Sequence, residues 1–310
     1  MSGRLIIVDW GTSSFRAWLV DAASGAVLAE IGDGLGMRAL SRNGFAAYCH
    51  ERLGPWRDGA TPVYMAGMVG APQGWQQAPQ PPLPATPESL ARDVVAVADM
   101  AGVFIIPGVR VASADPAKAD VMRGEEVQIF GALSLVDWDY AVLCLPGTHS
   151  KWADVEGGVL TRFSTSMTGE VHEVMLAHSV LGLAADRDAP FAEVAFDAGL
   201  SQSVRRGGLL NHLFSARARG IHGDLRAEDV ASYLSGLLIG SEIAAMTPLY
   251  ASGAGEILLV SNDRLAVPYG AAFSRAGLAY RHVTAREATL AGVTAIARLH
   301  APELFSEAVS

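Results

Sequence analysis

The stretch "LIIVDWGTSSFRAWLVD", residues 5–21, decides the fold. "LIIV" is apolar at every position, the pattern of a strand covered on both faces. Asp9 interrupts it, and Trp10 then leads into a turn of small residues, Gly11, Thr12, Ser13 and Ser14. "SFRAWLVD" alternates as a second strand, and "ASGA" turns the chain into a third, "VLAEIG". A strand feeding a tight glycine turn exposes backbone N–H groups at its end, and such groups bind phosphate. Gly11 permits close approach, and the three hydroxyls add donors. A carboxylate ending a buried strand is costly without a partner. A phosphate-bound Mg2+ would supply one, and so would a turn that the aspartate caps itself.

A second copy of this order begins near residue 141, in "AVLCLPGTHSKWADVEGGVLTRFSTSMTGE". Gly147 lies over Gly11, Thr148 over Thr12 and Ser150 over Ser14, and each copy runs on to an aspartate, a glycine turn and an apolar strand. This is a candidate internal repeat of one supersecondary unit. The second turn has Leu145 where Asp9 stands, and offers His149, Ser150 and Lys151 instead. Two such turns could hold a polyphosphate, with a metal carboxylate from one and a cation from the other. Lys151 also fits a solvated surface lysine.

Between the copies, "TPVYMAGMVG" (61–70) reads as a buried strand, and residues 71–85 carry too much proline for helix or central strand. The spacing after Thr86, a candidate N-cap, predicts a helix over "TPESLARDVVAVADMAG". "VFIIPGVRVAS" reads as strand and the later part of "ADVMRGEEVQIFGALSLV" as helix. Residues 169–250 read mostly helical, "EILLVSNDRLAVPYGAAFSRAG" as strand, turn and helix, and "TAREATLAGVTAIARLH" as a terminal helix.

The chain has 310 residues, half of them hydrophobic and 18% charged, enough for two lobes with a sizeable core. A net charge of −9 argues against nucleic acid or anionic membrane as partner. No apolar run approaches the roughly 18 residues of a membrane span, and the N-terminal apolar run is too short for a signal peptide. Cys49 and Cys144 lie far apart with no metal spacing. The expectation is a reduced, cytoplasmic enzyme. "HEVMLAH" carries His172 and His178 too far apart for a zinc H-E-x-x-H helix.

"VDWGTSSFRAWLVD" resembles the first phosphate loop of the sugar kinase, heat-shock protein and actin superfamily. "LPGTHSKW" followed by "TSMTGE", together with "AGMVGAPQGW", "MRGEEVQIFGAL" and "EATLAGVTAIAR", resembles the 2-dehydro-3-deoxygalactonokinase family, over nearly the whole chain. The resemblance implies an α/β fold of two ribonuclease-H-like lobes with a nucleotide cleft between them. Residues 1–133 would form the N-terminal lobe with the first phosphate loop and an acceptor wall. Residues 134–310 would hold the second phosphate loop, a helical insertion and the adenosine region, with the last helix free to pack back on the first lobe. It implies ATP and Mg2+, and phosphorylation of the terminal hydroxyl of 2-dehydro-3-deoxy-D-galactonate. Partners would be a small sugar acid and a second copy of the chain, with no nucleic acid and no membrane. Kinases of other sugars or sugar acids, a nucleotide or polyphosphate hydrolase, and a non-catalytic nucleotide binder remain as rivals on the same fold.

Mapped onto this chain, the resemblance makes Asp9 the Mg2+-associated carboxylate. Gly11, Thr12, Ser13 and Ser14 form the first phosphate loop, and Gly147, Thr148, His149, Ser150 and Lys151 the second. Arg16 would steady a phosphate or the acceptor's carboxylate, or be a strand-end arginine paired to a glutamate. A general base is wanted for the acceptor hydroxyl. Glu125 and Glu126, at a helix start, rank above Asp120, although acids at a helix start also serve its dipole. Gln73 and Trp75 would wall the acceptor site, Trp75 by covering a carbon face. Thr168 and Glu170 would join it from the other lobe, or simply open the next helix. "SNDRL" puts Ser261 and Asn262 where related chains carry glycine beside adenine, which leaves the adenosine contacts open.

Overall fold

Continuous apolar runs become central strands because only a strand covered on both faces tolerates them. The computed structural model describes residues 3–112, 115, 118–251 and 255–305. It divides into two compact units, Met1–Tyr140 with Val155–Phe163 and Ala285–Ser310, and Ala141–Asp154 with Ser164–Thr284.

In the first unit β1 (Arg4–Trp10), β2 (Ser14–Asp21) and β3 (Val27–Leu35) form an antiparallel meander. After α1 (Phe45–Leu53), β4 (Val63–Ala66) pairs parallel with β1. Then come α2 (Pro87–Arg92), β5 (Val95–Ala96) and β6 (Val103–Ile105), with β6 parallel to β4. A small hairpin of β7 (Val109–Val111) and β8 (Asp120–Met122) leads into α3 (Glu125–Val136). The sheet order is β3-β2-β1-β4-β6-β5. Alternation along β1 sends Ile6, Val8 and Trp10 into one core with Phe45, Cys49 and Leu53 of α1, while Leu5 and Ile7 are fully buried on the other face.

The helix expected after Thr86 is shorter than its periodicity predicts. Thr86 caps it, accepting the Ser89 N–H at 3.2 Å while Ser89 Oγ accepts the Thr86 N–H at 2.9 Å. The helix ends at Arg92, and Val95 and Ala96 instead pair antiparallel with Ile105 and Phe104. An open sheet edge beside a β-branched segment overrides helical spacing.

The second unit contains β9 (Ala141–Leu145), most of β10 (Ser150–Glu156) and the end of β11 (Val159–Ser166), the intervening Val155–Phe163 being counted with the first unit. Four helices follow, α4 (Thr168–His178), α5 (Glu193–Ser203), α6 (Gly208–His222) and α7 (Val230–Tyr250), then β12 (Ile257–Ser261), α8 (Asp263–Arg275) and β13 (Tyr280–Thr284). The sheet runs β11-β10-β9-β12-β13, with β12 parallel to β9 and to β13. Counted from its own first strand, each sheet runs third, second, first, fourth, and continues on that side by two strands in the first sheet and one in the second. The repeat read from Gly11 and Gly147 is therefore a repeat of the ribonuclease-H-like sheet. By length and composition the segment Ala227–Tyr250 is apolar enough to cross a membrane. It is the central helix of this unit, with Tyr233, Leu234 and Leu237 fully buried.

The last helix, α9 (Ala285–His300), belongs to the first unit, and the boundary expected after residue 133 falls after Tyr140. α9 crosses α3 at glycines. A Cβ on Gly131 would lie 1.9 Å from Ala288 O, and one on Gly292 1.8 Å from Val127 O, so the two backbones touch.

Candidate active site

Asp9 occupies the end of β1, directly opposite Arg16 in the β1–β2 register. Arg16 Nη2 lies 3.6 Å from Asp9 Oδ2. Burial pushes the Asp9 carboxyl above its usual range, Arg16 draws it down, and the charge of Glu125 pushes it up. Two carboxylates, one ending a strand and one starting a helix, thus share one field.

Two glycines make that approach possible. Gly67 follows β4 at φ 98° and Gly124 precedes α3 at φ 112°, both in the region that side chains disfavour. A Cβ on Gly67 would lie 2.8 Å from Trp10 O, and one on Gly124 3.2 Å from the Gly67 Cα. The ends of β1 and β4 and the start of α3 therefore meet backbone to backbone.

The two glutamates of α3 differ in setting. Glu126 is fully buried, and both its oxygens accept the Gly124 N–H at 2.8 Å. Burial, and after it the charge of Glu125, push its carboxyl up to about 8. Glu125 is half-buried, and its Oε2 accepts the Arg123 N–H at 3.2 Å.

The loop between β1 and β2 is held from behind. The Gly11 N–H donates to Ser14 O at 2.9 Å, and the Gly11 and Thr12 carbonyls accept the N–H groups of Met37 and Arg38 at 3.0 Å. With its carbonyls so occupied, the loop leaves the amides of Thr12 and Ser13 without acceptors among the described residues. That is the state of an anion-binding turn.

In the second unit the start of α4 rests on the Gly147–His149 turn. The Glu170 N–H donates to Thr148 O at 2.9 Å, and Glu170 Oε2 pairs with His149 Nε2 at 2.5 Å. A Cβ on Gly169 would fall 2.3 Å from Gly147 O. Behind the turn Glu242 of α7, 5% exposed, accepts four hydrogen bonds. Ser150 Oγ and Trp152 Nε1 donate to Oε1 at 2.7 and 2.8 Å. The Tyr269 hydroxyl donates to Oε2 at 2.8 Å, and the Thr168 hydroxyl donates there too. Burial and the negative Glu242 hold the Cys144 thiol and the Tyr269 hydroxyl well above their ordinary values.

A cleft of about 990 Å3 lies within this unit, its wall including Gly147, Thr168, Gly169, Asn262, Leu265 and Tyr269. Asn262 caps α8, its Oδ1 accepting the Leu265 N–H at 2.9 Å. The Gly147–His149 turn, the start of α4 and the start of α8 therefore converge on one cavity of a size that takes a nucleotide-scale ligand.

The sequence profile described as 2-keto-3-deoxy-galactonokinase matches residues 9–296. The chain belongs to that family. It is 37% identical over 297 residues to the 2-dehydro-3-deoxygalactonokinase of Escherichia coli (strain K12), covering 96% of this chain and 98% of the relative. It superimposes with a TM-score of 0.86 on a solved structure from Sinorhizobium meliloti, named there as a candidate 2-dehydro-3-deoxygalactonokinase. That match is also 37% identical and covers 95% and 98% of the two chains. The activator of the 2-hydroxyisocaproyl-CoA dehydratase from Clostridium difficile, solved with bound ADPNP, shares the fold at 10% identity, with a TM-score of 0.54 over 99% of both chains.

For this galactonokinase-family chain the structure groups Asp9, Arg16 and Glu125 in the first unit, and Gly147, Thr148, His149, Thr168 and Glu170 in the second. Several sequence expectations change. Asp120 lies in the β7–β8 hairpin, its Oδ1 accepting the neighbouring Val121 N–H at 2.7 Å, and it is not among the groups whose charge acts on Asp9. Trp75 is only 8% exposed and is a core residue, stacked on Phe45 at 6.3 Å and edge-on to Trp10 at 6.4 Å, so its ring is not laid open as a wall. Gln73 stays exposed on its loop. Ser150 is fully buried on Glu242 and is not an open phosphate donor. Lys151 is 3% exposed, with Nζ donating to His149 O at 3.0 Å, so it is no surface lysine. His172 Nε2 donates to the Ala231 carbonyl at 3.0 Å, and no cluster of metal-binding side chains occurs among the described residues. Sequence reading missed Glu242, although the signal was present as a lone acid within "LSGLLIGSEIAAM" (234–246). A charge in an apolar helix must find partners.

Proposed function

We propose that this chain transfers the γ-phosphoryl group of ATP to the terminal C6 hydroxyl of 2-dehydro-3-deoxy-D-galactonate, yielding ADP and the 6-phosphate used in galactonate breakdown. The observation that carries this reading is the family match across residues 9–296. The site chemistry supports it. Phosphoryl transfer asks for positioned donors, charge neutralisation and a base, with little covalent work from the protein.

Glu125 is the base. Unlike Glu126, whose two oxygens are occupied and fully buried, it is half-buried and electrostatically coupled to Asp9. The acceptor hydroxyl gives its proton to Glu125 as its oxygen bonds to Pγ, and the bond from Pγ to the bridging oxygen breaks as ADP leaves. In the first unit the amides and hydroxyls of Thr12 and Ser13 suit phosphate oxygens, and in the second unit the Gly147–His149 turn does so independently. The cleft beside Gly147 takes the nucleoside. Arg16, beside Asp9, offers the cation for a phosphate or for the acceptor's carboxylate. The donor set fits Mg2+, which takes one or two carboxylates and completes its shell with phosphate oxygens and water. Asp9 would hold it, and the ion would neutralise charge on the phosphates. Two buried free cysteines, Cys49 and Cys144, suit a reducing, cytoplasmic setting.

The test is release of ADP from Mg-ATP with and without a panel holding the galactonate keto acid, its gluconate epimer and simple hexoses. Turnover that depends on the galactonate acid is expected. ADP release at the same rate with no acceptor would replace the kinase by a hydrolase.

A further inference from the structure

The transfer step itself has no direct use for Glu242, yet the second unit is built around it. The residue sits in the middle of α7 among apolar neighbours and is 5% exposed. An isolated carboxylate there would be strongly unfavourable, and four donors compensate it. They come from three other elements. Ser150 and Trp152 belong to β10, Thr168 begins α4, and Tyr269 belongs to α8. Each element touches the nucleotide side of the unit. Ser150 directly follows the Gly147–His149 turn, Gly169 next to Thr168 packs on the Gly147 carbonyl, and Thr168 and Tyr269 line the cleft.

Resting on the kinase reading, we infer that Glu242 is a positioning residue for the nucleotide. One carboxylate sets the second phosphate turn, the start of α4 and the α8 wall in a common register. It also sets the polarity of that wall. A hydroxyl that donates inward to Glu242 keeps lone pairs for the cleft. Thr168, half-buried at the cleft, therefore meets a ligand as an acceptor, which suits a ribose hydroxyl or an exocyclic amino group and not a phosphate oxygen, while the buried Tyr269 hydroxyl backs that wall.

Glu242→Gln replaces one acceptor oxygen by a donating amide. The Trp152 N–H can only donate, so the amide oxygen remains on its side and the NH2 faces Thr168 and Tyr269. Those hydroxyls must turn to accept, and Thr168 then presents its hydrogen to the cleft. The expected result is a rise of about tenfold in the Kd for Mg-ADP by calorimetric titration and in KM for Mg-ATP, with kcat and the acceptor's KM within about twofold. Thr168→Val acts in the same direction, and the double variant falls short of the product of the two because both changes act on one contact. A merely structural anchor would lower the melting temperature and shift both substrates' KM together, or leave nucleotide affinity unchanged, and either result overturns the inference. If Glu242→Gln does not fold, Tyr269→Phe keeps the ring and removes one donor, and it should raise the Mg-ADP Kd by a smaller factor without moving the acceptor's KM. Failure of the unaltered protein to bind Mg-ADP would instead overturn the kinase reading, and this inference with it.

Discussion

Asp9 stands where stability and function pull in opposite directions. Its carboxyl is destabilised by burial and by Glu125 and only partly relieved by Arg16, whose side chain is 39% exposed. A carboxylate so placed is costly to fold around, which supports the proposed role of Asp9 in the chemistry. Asp9→Asn is therefore expected to leave the melting temperature unchanged or raise it, while kcat falls at least about 100-fold. A steady-state assay beside a thermal melt checks both halves, and a destabilised variant of normal specific activity would remove Asp9 from the site. Glu126 gives a pH signature. Its folded-state value of about 8 lies above the ordinary carboxyl value, so between the two the folded chain holds a proton that the unfolded chain releases. The resulting cost is absent at low pH, grows as pH rises through that window and is complete above about 8. Stability should fall by about a few kcal/mol from pH 5 to 9 on this account, and Glu126→Gln, whose amide oxygen can still accept the Gly124 N–H, should flatten the slope. Urea unfolding at several pH values measures it, and an unchanged slope in the variant would contradict the assignment.

Elements are brought to the site by backbone contact more than by side-chain packing. α3 delivers Glu125 because Gly67 and Gly124 let its start touch the ends of β1 and β4, and it is clamped from behind by α9. That clamp is the Gly131–Gly292 crossing, where an added Cβ would sit inside van der Waals contact with a carbonyl. Neither carbonyl can retreat without parting the helices. Gly292→Ala should cost at least about 1–3 kcal/mol by overpacking, and should lower kcat through displacement of α3 while changing no group that touches substrate. Denaturant midpoints together with kcat report it, and wild-type stability would show that the helices do not cross this closely. The shortened α2 teaches the converse. Its cap was readable from Thr86 and Ser89, but its end was set by the free edge of β6, which takes up Val95 and Ala96.

Across the molecule the chain order and the spatial order differ. The first unit is completed by Ala285–His300, the last long element to be made, which buries Ala288, Val293 and Ile296 against it. A chain ended at Thr284 would leave Leu5 and Ile7 of β1 and one face of α3 without that cover. Such a truncation should lose cooperative folding of the first unit, seen as rapid proteolysis within residues 1–140, while the apolar core around Phe196, Ile239 and Phe273 belongs wholly to the second unit. A protease-resistant first unit in the truncated chain would contradict this. The duplicated sheet explains why a single chain carries two glycine turns after a buried first strand, one with a carboxylate at Asp9 and one with Leu145 in its place.

By itself the sequence determined the central strands, the two glycine turns proposed to bind phosphate, the helix starts at Thr86 and Glu125, and the family, because apolar period, turn chemistry and motif order are local properties. Asp9 and the Glu125–Glu126 pair were legible for the same reason. What only the tertiary structure decided are relations between segments far apart in the chain. It put Trp75 into the aromatic core, turned Ser150 and Thr168 inward to Glu242, buried Glu126 while leaving Glu125 half-buried, and gave α9 to the first unit. Burial, hydrogen-bond partners and the approach of two backbones depend on which segments meet, and no window of local sequence contains both sides of such a contact.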